Sequence, residues 1–481
     1  MTEHGLSADR THAAAPAVGE PCAEGVGLAE VRRQFPIAEA QVPLVGGGCA
    51  RLVYLDHAAS THPPAVVLDA YVDFLRLEYA NVHRATHLLS RRATERFEES
   101  ARTVAEFLGA DMSHGCVVFT ANASQAIDLA SHAMAHRPGR VVTTELEHHS
   151  NELPHRRRGP VHRVRMRPDG TLDLEHLEAL LRVGDVKLVC VTAASNVTGY
   201  VPDLAAVARL VHAHGARLLV DAAQALAHVP LRVGSPDDPE HLDFVAASGH
   251  KAYAPFGAGL LWGPRDVLDE APPYLPAGGT AARVTEDEVE YLPAPDRHQG
   301  GTPNVAGVVG MATALRWLRG LGMEAVRAHE RRLLEKAIAE LSRIDGVRLY
   351  GPGETAWRVG IVCFNVEGVD DSLTAAVLSD EHAIAVRNGR FCAHLHVERL
   401  LAAAHPDPHA RPRGAVRASF GLYNDESDVE RLIEAVRLVR DRRWRGRYRV
   451  RQMAPSAEVA GRCADRWMEA EADSSSSPPT G

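Results

Sequence analysis

Of the 53 Lys and Arg residues, only three are lysines (Lys187, Lys251 and Lys336), which leaves 50 arginines. A lysine kept against that background points to chemistry that a permanently charged guanidinium cannot perform. Lys187 opens the apolar run KLVCV and Lys336 lies in the helical pattern ERRLLEKAIAEL, both ordinary settings. Lys251 instead closes Ser248-Gly249-His250-Lys251, directly after the apolar run 244–247. An amine there can form a Schiff base. Asp221, ending the apolar run RLLVD, can keep a pyridine nitrogen protonated, and the two together fit pyridoxal 5'-phosphate as cofactor. Taken alone, Asp221 reads equally as the cap of the next helix. Ser124 heads a predicted helix and suits a phosphate, although a plain N-cap explains it as well. His148, in Glu147-His148-His149-Ser150-Asn151, can stack on a ring and shuttle a proton near neutral pH. Adjacent histidines point different ways, so at most one of the two faces the crevice.

The seven cysteines divide by context. Cys190 and Cys363 sit inside apolar runs and read as inert core. Cys392 lies in Arg387-Asn388-Gly389-Arg390-Phe391-Cys392-Ala393-His394, where positive neighbours favour a thiolate nucleophile. The competing reading is a metal site built from Cys392, His394 and His396, for which no fourth ligand is evident. Arg417, between apolar neighbours, needs an anionic partner: either a substrate carboxylate gripped bidentately or an internal salt bridge.

These groups need a frame. Short apolar runs at 116–120, 140–144, 187–192, 217–221, 243–247 and 259–262 alternate with amphipathic stretches at 64–78, 91–108, 124–135, 203–214 and 305–319. Such alternation predicts an α/β fold, a mostly parallel sheet sandwiched by helices. Polar residues follow the C-terminal ends of five of these runs, where open α/β sheets bind ligands. Beyond about residue 320 the pattern changes to a long helix, strands near 347–350, 359–365, 383–387 and 414–420, and a helix at 425–440. The expected organisation is a large domain at 27–320, its first ~20 residues packing on a smaller α+β domain at 321–445 that carries the cysteine loop. Tails at 1–26 and 446–481 read as disordered by composition. A net charge of -9 argues against a nucleic-acid partner, and the Arg-rich segment 437–451 reads as a solvated helix end. No apolar run is long enough for a membrane span, no signal peptide is evident, and the cysteines form no CxxC pair, so a reducing, cytoplasmic setting is expected.

The ordered motifs Tyr54-Leu55-Asp56-His57-Ala58-Ala59-Ser60, Ala80-Asn81-Val82-His83-Arg84-Ala85-Thr86-His87, Glu147 through Pro154, Ser195-Asn196-Val197-Thr198-Gly199, Val220 through Gln224, Ser248 through Lys251, Gly301-Thr302-Pro303-Asn304, Arg387 through Cys392 and Arg417-Ala418-Ser419 span about residues 27–445. Together they resemble fold-type I pyridoxal-phosphate enzymes of the class V aminotransferase group, most closely the SUF-type cysteine desulfurases and selenocysteine lyases. The resemblance implies that Lys251 carries the cofactor, that His148 stacks on it, and that Asp221 and Gln224 tune its ring. It also implies that Ser124, Ser248 and His250 hold the phosphate. Thr302 would reach the phosphate of the other subunit in a homodimer with shared sites. Asn196, Arg417 and His83 would bind the substrate, L-cysteine or a related amino acid, Asn196 also belonging to the cofactor set. Cys392 would take the sulfur as a persulfide for a sulfur-acceptor protein, leaving L-alanine. The alternative is an aminotransferase, epimerase or C–S β-lyase of a specialised biosynthetic pathway. Two features depart from the family pattern: Ala123-Ser124-Gln125 in the phosphate loop, and Arg390-Phe391 ahead of Cys392.

Overall fold

In the computed structural model, residues 28–83, 85–449 and 456–457 are described. The segment 1–26, most of 446–481, and Arg84 lie outside the described residues.

The six apolar runs become strands, and a seventh joins them: β1 Gly115–Thr120, β2 Arg140–Thr144, β3 Val161–Val164, β4 Val186–Thr192, β5 Arg217–Asp221, β6 Phe244–Ser248 and β7 Gly259–Pro264. They form one sheet in the order β1-β7-β6-β5-β4-β2-β3. Neighbouring strands are parallel except β7, which runs antiparallel to both β1 and β6. The α/β sandwich read from the sequence is therefore the fold. Strand β3 was not anticipated, because VHRV at the sheet edge buries only Val164 and shows no apolar run.

Helices cover both faces: α1 Ala65–Asp73, α2 Leu88–Phe107, α3 Ala123–Ala133, α4 Leu174–Arg182, α5 Leu204–Ala213 and α6 Val305–Leu321. Two apolar clusters lie on opposite faces of the sheet. Val142, Val189, Val220 and Val245 belong to one, and Val141, Leu188, Leu219 and Ala246 to the other, the period-2 alternation of a sheet buried on both sides. At Gly259 a Cβ would lie 2.5 Å from Asn122 Cα, so glycine is required where β7 passes the start of α3.

After α7 Met323–Leu341, a second antiparallel sheet forms from β8 Val347–Tyr350, β9 Ile361–Val366, β10 Arg387–Gly389 and β11 Ala415–Ser419, in the order β8-β9-β11-β10. Helices α8 Asp371–His382, α9 His394–Ala404 and α10 Glu426–Arg440 accompany it. Its core also takes Val53 and Leu55 from the beginning of the chain, and Val53–Tyr54 pairs in parallel with Ile384–Ala385. Asp56, next in line, is thereby delivered beside β11. Helix α9 follows the cysteine loop directly. Of the stretch 446–481 that composition marks as a tail, Tyr448 packs on this core and donates to Glu381 at 3.0 Å, and Tyr448–Arg449 pairs with Ser456–Ala457.

Candidate active site

A cavity of about 270 Å³ opens at the C-terminal ends of the parallel strands. Ser124, His148, Asn196, Asp221, Gln224, Ser248, His250 and Lys251 all line it, so eight of the residues singled out in the sequence meet in one place. The reason is topological. Most sit at or just past the C-terminal ends of the parallel strands β2, β4, β5 and β6, which the sheet presents together, and Ser124 joins them from the turn after β1, across antiparallel β7.

Lys251 is half-buried in this cavity. Burial brings its amine from 10.5 down to about 8, against an opposing pull from Asp221 and with help from the Arg417 charge. Asp221 is buried and accepts a hydrogen bond from Ala223 N–H at 2.9 Å; burial raises its pKa. His148 Nδ1 accepts from Ser150 N–H at 3.1 Å, which places the ring proton on Nε2. Burial, the nearby Lys251 and His149 bring this imidazole down to about 4, so it is neutral at physiological pH. On the opposite wall, Asn122 caps α3 by accepting from Gln125 N–H at 3.0 Å, and Ala123 N–H donates to Ser248 Oγ at 2.7 Å. Ser124 Oγ and Ser150 Oγ lie 2.5 Å apart. His250 stacks on the exposed ring of Phe256, with centroids 5.4 Å apart.

Two buried polar atoms lining this cavity, Gln224 Oε1 and His250 Nδ1, have no protein partner. Such orphans are costly unless a ligand satisfies them. Together with a lysine, a buried carboxylate and hydroxyls at a helix N-terminus, they fit the chemistry of pyridoxal phosphate: an aldehyde carbon, a ring nitrogen and a phosphate.

Cys392 is exposed and lies on the loop between β10 and α9. Both Phe391 (φ 51°) and Cys392 (φ 53°) adopt the left-handed backbone conformation, unfavourable for side chains with a Cβ. The wall of the cavity holds them there. Asn196 Nδ2 donates to Phe391 O at 2.7 Å, and His149 N–H donates to Cys392 O at 2.7 Å. Buried thiols elsewhere, such as Cys116 and Cys363, are pushed up to about 12 and are unreactive at neutral pH.

Arg417 is buried and already paired. Its guanidinium donates to Asp56 Oδ1 at 3.1 Å and to Asn196 O at 2.8 Å, and it lies 5.0 Å from the Phe391 ring centre. The internal salt bridge weighed for this residue therefore exists. Arg387, half exposed, shares the same carboxylate at 2.8 Å, and Arg417 Nε is buried without a partner. Two cations on one carboxylate leave an excess positive charge beside the cavity. Asp56 and Arg387 were not given roles from sequence, although both lie in the motifs that carried the resemblance.

Two of the singled-out residues lie apart from Lys251 in this chain, as the expectation for Thr302 requires and that for His83 does not. His83 and Thr302 line a different cavity, of about 590 Å³, together with Asn81, Val82 and Phe97. His83 packs edge-on to Phe97 with centroids 5.6 Å apart, so its loop lies across α2 and not against Lys251. The metal reading of Cys392, His394 and His396 also fails on geometry. His396 is buried, whereas Cys392 and His394 are exposed. The His212, His241 and Asp243 group comes closer, but its imidazoles stack in parallel at 4.0 Å, which does not aim two in-plane lone pairs at one ion.

The α/β sheet with a lysine, an aspartate and a helix N-terminus at its C-terminal edge defines a cofactor-dependent enzyme class, and comparison with known proteins identifies which. The family model for aminotransferase class-V matches residues 53–432, and the chain belongs to that family. Its similarity runs specifically toward proteins named cysteine desulfurase. One from Haloferax volcanii is 36% identical over 431 residues, covering 85% of this chain and 96% of that one. The apo structure of cysteine desulfurase from Thermococcus onnurineus NA1 superposes with a TM-score of 0.76 at 31% identity, covering 86% of this chain and 98% of that one. The cysteine desulfurase CsdA from Escherichia coli, in an S-sulfonic acid form, gives 0.73 at 30%, with 87% and 99% covered.

Proposed function

We propose that this chain is a pyridoxal-phosphate-dependent cysteine desulfurase that converts L-cysteine to L-alanine and leaves a persulfide on Cys392. The observation that carries this reading is the clamping of the Cys392 loop onto Asn196 and His149, one lining the Lys251 cavity and the other adjoining His148, which does. An aminotransferase or epimerase would have no use for a cysteine whose backbone is tied to the cavity wall.

When bound, pyridoxal phosphate supplies an electron sink conjugated to the amino acid's Cα, which weakens the Cβ–S bond. The remaining work falls to the chain. Ser124, Ser248 and His250 would hold the phosphate, Asp221 and Gln224 would tune the ring, and neutral His148 would stack on it. Lys251 anchors the cofactor and, with a pKa of about 8, is neutral often enough to move the Cα proton. The substrate carboxylate is drawn to the unbalanced charge of Arg417 and Arg387 around Asp56, beside Asn196. The Cys392 thiolate then attacks the substrate sulfur. An S–S bond forms as the Cβ–S bond breaks, the electron pair passes to the carbon skeleton, and that skeleton takes up protons and leaves as alanine. The persulfide sulfur passes to an acceptor protein.

The separation of Thr302 and His83 from Lys251 in their own chain supports a homodimer in which they serve the site of a second copy. Exposed Leu77 and Tyr79, just ahead of that cavity, supply apolar surface for the interface. The separate seven-stranded and four-stranded sheets support a division into a large cofactor domain and a small domain delivering Cys392. No helix among the described residues is long and apolar enough to cross a membrane. Cys49 and Cys392 remain free and exposed, which suits the reducing cytoplasm.

The test is L-alanine and sulfide release from L-cysteine with dithiothreitol, comparing wild type and Cys392→Ala. Alanine from wild type alone, with the variant still yellow from cofactor, supports the reading. Equal alanine from both proteins sinks it.

A further inference from the structure

The two adjacent histidines after β2 divide their labour, and only His148 lines the Lys251 cavity. His149 faces the cysteine loop instead. Its backbone N–H donates to Cys392 O at 2.7 Å, and its Nε2 accepts from the backbone N–H of His394 at 3.4 Å. The two imidazoles of His149 and His394 also meet edge-on, with centroids 4.5 Å apart. His394 is the first residue of α9, and Ala393 at the N-cap offers that helix no side-chain acceptor. His149 therefore caps α9 from another part of the chain, satisfying a donor that would otherwise be orphaned.

The segment carrying both histidines is fixed from below. The buried carboxyl of Glu147 accepts from Thr144 Oγ1 at 2.5 Å, Asn151 Nδ2 at 2.6 Å and Thr192 N–H at 3.1 Å, which ties the turn to β2 and β4. A rigid dipeptide thus spans from the ring-covering side chain to the loop bearing the thiol. On the other side of that dipeptide, Phe391 and Cys392 hold a backbone conformation they would leave if released.

We infer that His149 is the positioning residue for Cys392: the His148-His149 dipeptide acts as a ruler that sets the thiol at a fixed distance from the cofactor, with the His149 imidazole holding the start of α9 in place. The activity part of this inference rests on the desulfurase reading above. The positioning part does not.

The experiment uses holoprotein and two variants, His149→Ala and His149→Gln, because glutamine Oε1 reaches about as far as Nε2 and restores an acceptor. In His149→Ala, kcat for alanine formation falls about tenfold, since a thiol displaced by an ångström loses its attack geometry. KM for cysteine stays within about twofold and the cofactor absorbance is unchanged, because no substrate or cofactor contact is lost. Hydrogen exchange speeds up in the segment 390–398 and nowhere else. His149→Gln recovers both the rate and the protection. Wild-type behaviour of His149→Ala in both readouts overturns the inference, as does a slow His149→Gln with normal exchange. If wild type makes no alanine from cysteine, the desulfurase reading falls, and the exchange comparison still decides whether His149 positions the loop.

Discussion

The burial of Lys251 makes a measurable prediction about how the apoprotein captures its cofactor. Only a neutral amine attacks an aldehyde. With its pKa brought to about 8, Lys251 is neutral in roughly a quarter of molecules at pH 7.5. A lysine at 10.5 would be neutral in only about one molecule in a thousand, so the burial is worth a factor of roughly 200 in reactive amine. The assay is stopped-flow absorbance on mixing apoprotein with pyridoxal phosphate between pH 6 and 10. A free amine of ordinary lysine pKa, run in parallel, reports the cofactor's own titration. Divided by the control's rate per neutral amine, which leaves only the cofactor's titration, the capture rate rises about tenfold per pH unit up to about 8 and then flattens. Two substitutions move the midpoint in opposite directions. Asp221→Asn removes a negative charge that favours the ammonium, so the midpoint drops below that of wild type. Arg417→Gln removes a positive charge that disfavours it, so the midpoint rises. A wild-type rate still climbing tenfold per unit above pH 9 would refute the burial argument outright. An Arg417→Gln midpoint at or below that of wild type would refute the electrostatic part.

Acid sensitivity and one glycine test the scaffold. His155 and His396 are buried and brought by burial from 6.5 to about 4, so the folded state binds fewer protons than the unfolded one in that interval. Their contribution to stability is complete above pH 6.5 and is lost as the pH falls toward 4; Tm should decline steadily over that range, and a flat Tm between 6.5 and 5 would count against it. Gly259→Ala pushes a methyl to 2.5 Å from Asn122 Cα, so β7 and the start of α3 must separate. A loss of about 1–3 kcal/mol in urea unfolding and weaker cofactor retention are expected, and unchanged values in both would show that the contact relaxes freely.

Most of the Lys251 cavity was legible because its residues announce themselves locally. Each follows an apolar strand, and the parallel topology that brings strand ends together is itself readable from strand–helix alternation. What escaped was set by contacts between distant parts of the chain. Arg417 was read as needing either a substrate carboxylate or an internal partner, and the partner could not be named: Asp56, 361 residues earlier, reaches it only because Val53–Tyr54 adds to the edge strand Ile384–Ala385. His83 was placed at the substrate by motif order alone, while the packing of its ring against Phe97 turns it to another cavity. Edge strand β3 and helix α9 carry weak periodicity, and α9 in addition lacks a local cap.

The distant pairings explain how a thiol on one sheet can serve a cofactor on the other. Cys392 has no strand end of its own to project from; it hangs between β10 and α9 in a strained turn. Four groups from elsewhere meet at that turn. Asn196 and His149 grip its two carbonyls, Arg417 lies across Phe391, and Asp56 orients Arg417. Arg417 is common to both halves of the reaction as proposed, because the charge that draws the substrate carboxylate also rests on the residue preceding the nucleophile. A substrate that engages Arg417 therefore acts on the cysteine loop as well. That coupling predicts slower hydrogen exchange in 390–398 when a non-reactive carboxylate such as L-alanine is bound, and an unchanged rate would separate the two roles of Arg417.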